Sequence, residues 1–350
     1  MKYRTYPKTE ITVSTVGFGL WTTSTGWWGS ISDEDAVKLL GEAYDLGITL
    51  FDAADTYGNG RSEEQLAAAF ADRRDQVVIA TKFGYDFYNH ADERRGQQAI
   101  PQDFSPDYVR FALEQSLRRL RTDYIDIYQI HNARLSEIEN DELFALLERF
   151  QDEGKIRTYG AAFGPAIGWL VEGCRAVSDR HVKSIHMIWN ILEPFPGNEM
   201  VRASYAANAD TGYLIRVPHS SGMLEGKFTS ETTFDRNDHR IHRPRWWLTN
   251  GLKKVEKLRF LERSNRTLGQ AAIQWLLAEM RVMSVLPNIY DREQLREFAH
   301  ASETPDLTQD ELARIAQLAA SNFGVGDEPA TFKGTMRWED VPNPSLTIAE

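Results

Sequence analysis

Eight short apolar runs, each followed by an amphipathic segment, recur along most of the chain, and this alternation is the pattern of βα units around a parallel sheet. The runs are Thr15 to Gly19, Ile48 to Ala53, Val77 to Lys82, Tyr124 to His131, Ile156 to Ala162, Val182 to Trp189, Tyr213 to Pro218 and Val282 to Pro287. Eight units close a sheet on itself, so the expected class is α/β, a (β/α)8 TIM barrel. An N-terminal β-hairpin precedes the first unit and one helix follows the last. Residues 1–323 are expected to form a single barrel domain and 324–350 a loosely packed C-terminal tail.

The segments between the runs carry helix signals. Ser32 precedes an amphipathic stretch that stops at Gly47, and Ser105 followed by Pro106 reads as an N-cap with proline at the first helical position. Thr308 with Glu311 is a capping-box pattern opening the additional helix. Two connections are too long for turns, Gly84 to Phe104 after the third strand and Ser220 to Asn250 after the seventh. Both follow strand C-termini, the face on which barrel active sites are built, so a functional role is expected.

Composition removes several classes of function. With 51 acidic against 40 basic residues, the net charge of −11 disfavours nucleic acid and anionic membrane surfaces as partners. No stretch approaches the roughly twenty apolar residues of a membrane span. The single cysteine, Cys174, permits no intramolecular disulfide and fits a reducing cytoplasm, and no metal site is expected. The densest basic run, His239 to Trp247, is either a solvated loop or a seat for a phosphate or carboxylate. A small molecule is the expected partner.

Four polar residues stand at or just beyond the ends of successive runs: Asp52, Tyr57, Lys82 and His131. A barrel gathers such ends, and an aspartate and a lysine inside it must pair, because an unpaired buried charge is costly. A lysine ammonium beside a tyrosine favours the phenolate, which makes Tyr57 a proton donor. Neutral His131 can orient a carbonyl oxygen by a hydrogen bond while Asp52 holds Lys82 in place. Together the four suit protonation of a carbonyl oxygen as hydride reaches its carbon.

The stretches "FDAADTYGNGRSEEQLAAAF", "VVIATKFG", "YIDIYQIHN" and "GKIRTYG" closely resemble the aldo-keto reductases, and the likeness runs from about Tyr3 to Phe323. It takes in the opening "VSTVGFGLW", the loop "SSGMLEGK" and the late "LPNIYDREQL". The resemblance implies the barrel fold, the Asp52, Tyr57, Lys82 and His131 tetrad, and a nicotinamide cofactor, NADP by a slight preference with NAD as the other choice. It also implies a cofactor surface made of Gly19, Trp21, Asp52, Ala162, His186, Arg216, Ser220, Ser221, Gly222, Leu224, Lys227, Asn288, Arg292 and Gln294. The aromatics Trp27, Trp28, Tyr85 and Phe87 are expected to face substrate.

The chain departs from the family pattern around the nicotinamide. The family's serine and asparagine after the fifth strand align with Ala162 and Phe163, its sixth-strand glutamine with His186, and its seventh-strand aromatic with Arg216. On the adenine side Gln294 is kept, Phe298 replaces an asparagine, Tyr290 stands at the usual basic position, and Arg292 is close enough to meet a 2′-phosphate. The expected activity is NAD(P)H-dependent reduction of an aldehyde, ketone or keto-sugar to an alcohol. The alternative, to which the nicotinamide-side departures point, is a non-redox isomerase, dehydratase or lyase on a sugar-like hydroxy or keto substrate, using the same tetrad.

Overall fold

The computed structural model describes residues 1–90, 100–164, 169–236, 238–330 and 346–348. A hairpin of β1 (Tyr3–Thr5) and β2 (Thr12–Ser14) comes first. The barrel strands follow as β3 (Phe18–Gly19), β4 (Leu50–Asp52), β5 (Val78–Phe83), β6 (Ile125–His131), β7 (Ile156–Ala162), β8 (Ser184–Ile188), β9 (Gly212–Arg216) and β10 (Val282–Leu286). Each pairs in parallel with the next in sequence order. The ring closes where Gly17 donates its amide to the Val285 carbonyl and Val285 donates to Thr15, both at 2.9 Å. The protein is a (β/α)8 barrel, and each of the eight predicted runs contributes one of its strands.

Side chains on a strand alternate between faces, so each strand feeds two cores. Phe51, Ile79, Tyr128, Ile130, Ile185 and Ile215 join the large outer core beneath the helices. Their neighbours Leu50, Val78, Ala80, Ile127 and Leu214 form a separate inner cluster with Met283 and Leu286, closed from below by Tyr6, Ile11 and Val13 of the hairpin region. Gly212 makes that plug possible, because a Cβ there would fall 2.4 Å from Met283 Cγ and 2.7 Å from Tyr6 Cε1. Two residues further along the same inward rows, Leu50 gives way to Asp52, Ala80 to Lys82, and Ile127 to Gln129 and then His131. The barrel interior is thus apolar at its floor and polar at its mouth.

The predicted helix signals fare unevenly. Ser32 accepts from the Asp35 amide at the start of Asp33–Asp45, and Gly47 takes the positive φ that ends that helix. Thr308 and Glu311 form the reciprocal capping box of Gln309–Ala320. Ser105 and Pro106 take the N-cap and first helical positions of Pro106–Leu120, though the Ser105 hydroxyl makes no cap bond; the Asp103 carboxylate accepts from the Ser105 amide at 2.8 Å.

The long connection after β9 is folded, with one-turn helices at Met223–Glu225 and His239–His242 leading into Arg245–Leu258. The connection after β5 carries a short helix, Phe87–His90, and its residues 91–99 lie outside the described chain. The start of the tail is anchored rather than loose, because the Glu328 carboxylate accepts from Asn250 and Lys254 on Arg245–Leu258 and from Asn322. Among the described residues no helix is long and apolar enough to cross a membrane.

Candidate active site

At the barrel mouth Lys82, 1% exposed, donates to both oxygens of Asp52 at 2.8 Å and to the Ala53 carbonyl at 2.5 Å. Those three acceptors use every proton of the ammonium and fix its position. Burial pushes the Asp52 carboxyl above the usual carboxylate range, and Lys82 and then Arg216 pull it partly back. The Lys82 Nζ stands 4.8 Å from the centre of the Tyr57 ring.

Tyr57 comes from the turn between β4 and the helix Arg61–Phe70. Gly58, Asn59 and Gly60 all have positive φ there, which turns the chain sharply enough to bring the ring back over the mouth. A Cβ on Gly60 would fall 2.6 Å from Arg119 Cδ. Two latches hold the turn: Ser62 donates to the Ala54 carbonyl at 2.8 Å, and Glu63 accepts from Thr81 at 2.7 Å and from Arg119 at 2.6 Å.

Around Tyr57 the aromatics converge. Trp21 meets it edge to face at 5.1 Å, Trp27 lies 5.8 Å from Trp21, and His131 lies 6.0 Å from Tyr57 on another side. Tyr85 faces His131 at 4.9 Å and accepts a hydrogen bond from Asn132 through its hydroxyl. Trp21 keeps its place because Ser24, at the end of its short helix, donates to Gln65 Oε1 at 2.8 Å. Of the other expected substrate-facing aromatics, Phe87 is buried against Tyr88, and Trp28 stacks on Tyr290 at 6.0 Å.

The family model described as "Aldo/keto reductase family" matches residues 15–320. The chain belongs to the aldo/keto reductase family. It is 31% identical over 294 residues to "Aldo-keto reductase YhdN" of Bacillus subtilis, which spans 79% of this chain and 81% of the relative. It is 28% identical to the "NADH-specific methylglyoxal reductase" of Escherichia coli, over 94% of this chain and 96% of the relative. Among solved structures it is similar to "aldo-keto reductase AKR11C1 from Bacillus halodurans (holo form)", with TM-score 0.73 and 28% identity, covering 91% of this chain and 96% of that one. This reductase is an oxidoreductase, and its family uses nicotinamide cofactors.

The mouth of this reductase fits such a group. Strand register sets His131, Ala162 and His186 side by side on β6, β7 and β8. His186 is 2% exposed, has no hydrogen-bond partner at either ring nitrogen among the described residues, and lies 3.5 Å from Asp52 Oδ1. Burial, then the Lys82 and Arg216 charges and His131, drive its pKa well below the usual histidine range. A neutral imidazole whose Nδ1 faces Asp52 and whose Nε2 has no hydrogen-bond partner among the described residues can meet an amide through Nε2. Arg216 donates to the Phe163 carbonyl at 2.9 Å, and the Phe163 ring stacks on Trp169 at 6.0 Å, so the position of the family's asparagine is filled by a buried aromatic.

Beyond β9, Val217, Ser220, Ser221 and Gly222 all have positive φ, and left-handed non-glycine residues persist only where the surroundings enforce them. Ser220 donates to Glu193 at 3.0 Å, and Ser221 accepts from Arg243 at 3.2 Å. Lys227 is exposed, with Glu293 and Glu297 at 3.7 and 3.6 Å. Leu224 is a core residue of the cluster under this loop, so it supports the loop from behind. Gly19 pairs with Asp52 across β3 and β4, Asn288 is partly exposed just past β10, and Gln294 is buried. Arg292 is exposed and held by both oxygens of Glu42 at 2.7 and 2.8 Å. Sequence reasoning named the basic run as a possible phosphate seat without picking out Arg243, which the structure sets against Ser221.

Proposed function

We propose that the chain reduces the carbonyl of an aldehyde, ketone or keto-sugar to an alcohol, with Tyr57 donating the proton. The observation that carries this reading is the Lys82 ammonium, fixed by three oxygens and set 4.8 Å from the Tyr57 ring. Reduced nicotinamide supplies the hydride. His186, Ser221, Arg243 and Gln294 would hold the cofactor, as an imidazole for the carboxamide, hydroxyl and guanidinium donors for phosphates, and an amide on the adenosine side.

His131 would orient the carbonyl oxygen by a hydrogen bond. Tyr57 then passes its phenolic proton to that oxygen, and the nearby ammonium stabilises the phenolate left behind. Asp52 and the Ala53 carbonyl keep Lys82 from turning toward substrate. Trp21 and Trp27 shelter the phenol on one side and exclude water from the transfer. The "NADH-specific methylglyoxal reductase" of Escherichia coli, to which this chain is similar, fits the same chemistry by its name.

Replacing Tyr57 with Phe deletes one hydroxyl and keeps the ring. The expected result is a fall in kcat of about 10²- to 10⁴-fold on any aldehyde the enzyme turns over, with cofactor Kd within about twofold of wild type. A variant that keeps wild-type kcat would show that the proton comes from elsewhere.

A further inference from the structure

One group of side chains lies beside the Ser220–Gly222 turn, and of its members only Gln294 has a part in the cofactor reading above. Glu225 accepts from Gln294 Nε2 at 3.3 Å, and Gln294 in turn accepts from the Tyr290 amide at 3.3 Å. Tyr290 stacks on Trp28, and the Arg240 guanidinium lies 4.5 Å from the same indole. Gly222 sits against this group, since a Cβ there would fall 3.1 Å from Arg240 Nη1 and 3.5 Å from Glu225 Oε1. A carboxylate, a carboxamide and two flat aromatic rings thus share one partly buried niche against Gly222 of the phosphate-suited turn.

The charges around that niche decide what it can accept. Three of the nearby cations already have a carboxylate: Arg240 binds Asp238 through both oxygens, Arg292 binds Glu42, and Lys227 stands between Glu293 and Glu297, while Arg243 lies against Ser221 on the phosphate-suited turn. Glu225 itself brings a further carboxyl. A phosphate monoester carries about −1.5 to −2 at and above neutral pH, so placing one here sets it against Glu225 once that carboxyl is ionised and makes it compete for Arg240, Arg292 and Lys227. A ribose with free 2′- and 3′-hydroxyls meets the opposite situation, because hydroxyls donate to a carboxylate.

We infer that Glu225, held by Gln294, makes this reductase select NADH over NADPH by accepting the adenosine ribose hydroxyls and repelling a 2′-phosphate. The inference rests on the reading that the chain binds a nicotinamide cofactor with its phosphates at Ser221 and Arg243. It runs against the slight preference for NADP that Arg292 suggested, since that side chain is engaged by Glu42.

The test is a pair of titrations by tryptophan fluorescence, NADH and NADPH against the intact wild-type protein and against Glu225→Gln. They are run at pH 8, because burial raises the Glu225 carboxyl to about 7 and it is then ionised. Wild type is expected to bind NADH at least tenfold more tightly than NADPH. Glu225→Gln should shrink that ratio at least fivefold, chiefly by improving NADPH, and leave the far-ultraviolet circular dichroism unchanged. Equal or tighter binding of NADPH by wild type overturns the inference whatever the variant does, and so does a ratio untouched by Glu225→Gln. Binding of neither nucleotide by a folded wild-type protein overturns the cofactor reading and the inference with it.

Discussion

Lys82 and Asp52 are a buried ion pair whose partners each depend on the other to remain in a low-dielectric site. Replacing Lys82 with Met leaves Asp52 with no counter-ion beyond the Arg216 field, and the expected cost is about 3–5 kcal/mol of stability in urea unfolding. Adding Asp52→Asn to that variant removes the stranded charge and should recover more than half of the loss. Equal stability of the single and double variants would mean that the pair is not what holds this corner of the barrel. The pair was legible in the sequence because a lysine and an aspartate closing apolar runs have few physical alternatives to meeting each other. Glu225 was not legible, because an acid three residues past a glycine turn has no periodic partner, and its meaning depends on Gln294 arriving from another unit.

The turn between β4 and Arg61–Phe70 carries Tyr57, and it also buries Asp55 beside Glu63. Loss of water, reinforced by the neighbouring Glu63 charge, drives the Asp55 carboxyl well above its ordinary range. A group whose folded pKa is raised contributes its full stability below the unfolded value of about 3.9. That contribution is lost as pH climbs toward the folded value, since only the unfolded chain releases the proton. An amide has no such proton, so Asp55→Asn should stabilise the protein at pH 7 relative to wild type, on the order of 1–3 kcal/mol, and gain little at pH 4. Thermal melts at the two pH values check this; a gain no larger at pH 7 than at pH 4 would rule it out. At this scale the eight strands were readable because period-two and buried runs survive in sequence. Ser105 and Pro106 take the N-cap and first helical positions as read, but no cap bond forms from the Ser105 hydroxyl, and the Asp103 carboxylate that accepts from the Ser105 amide could not be read from the spacing.

Taken over the whole molecule, the barrel interior divides at mid-height, with Leu50, Val78, Ala80, Ile127, Leu214 and the hairpin plug below and the tetrad above. Tyr6 belongs wholly to the lower half, its ring against the β9 glycine and its hydroxyl 3.3 Å from Ser184. Tyr6→Ala should therefore cost about 3–5 kcal/mol of stability while kcat, measured well below the melting transition, stays within about twofold of wild type. A matching loss of kcat would show that floor and mouth are mechanically linked. The same division bears on how such a chain changes over generations. Substitutions drawn at random in the lower half spend only thermal margin, whereas those in the upper half alter chemistry directly. A lineage that first deepens its floor can then sample new mouths, and so new substrates, without losing the fold.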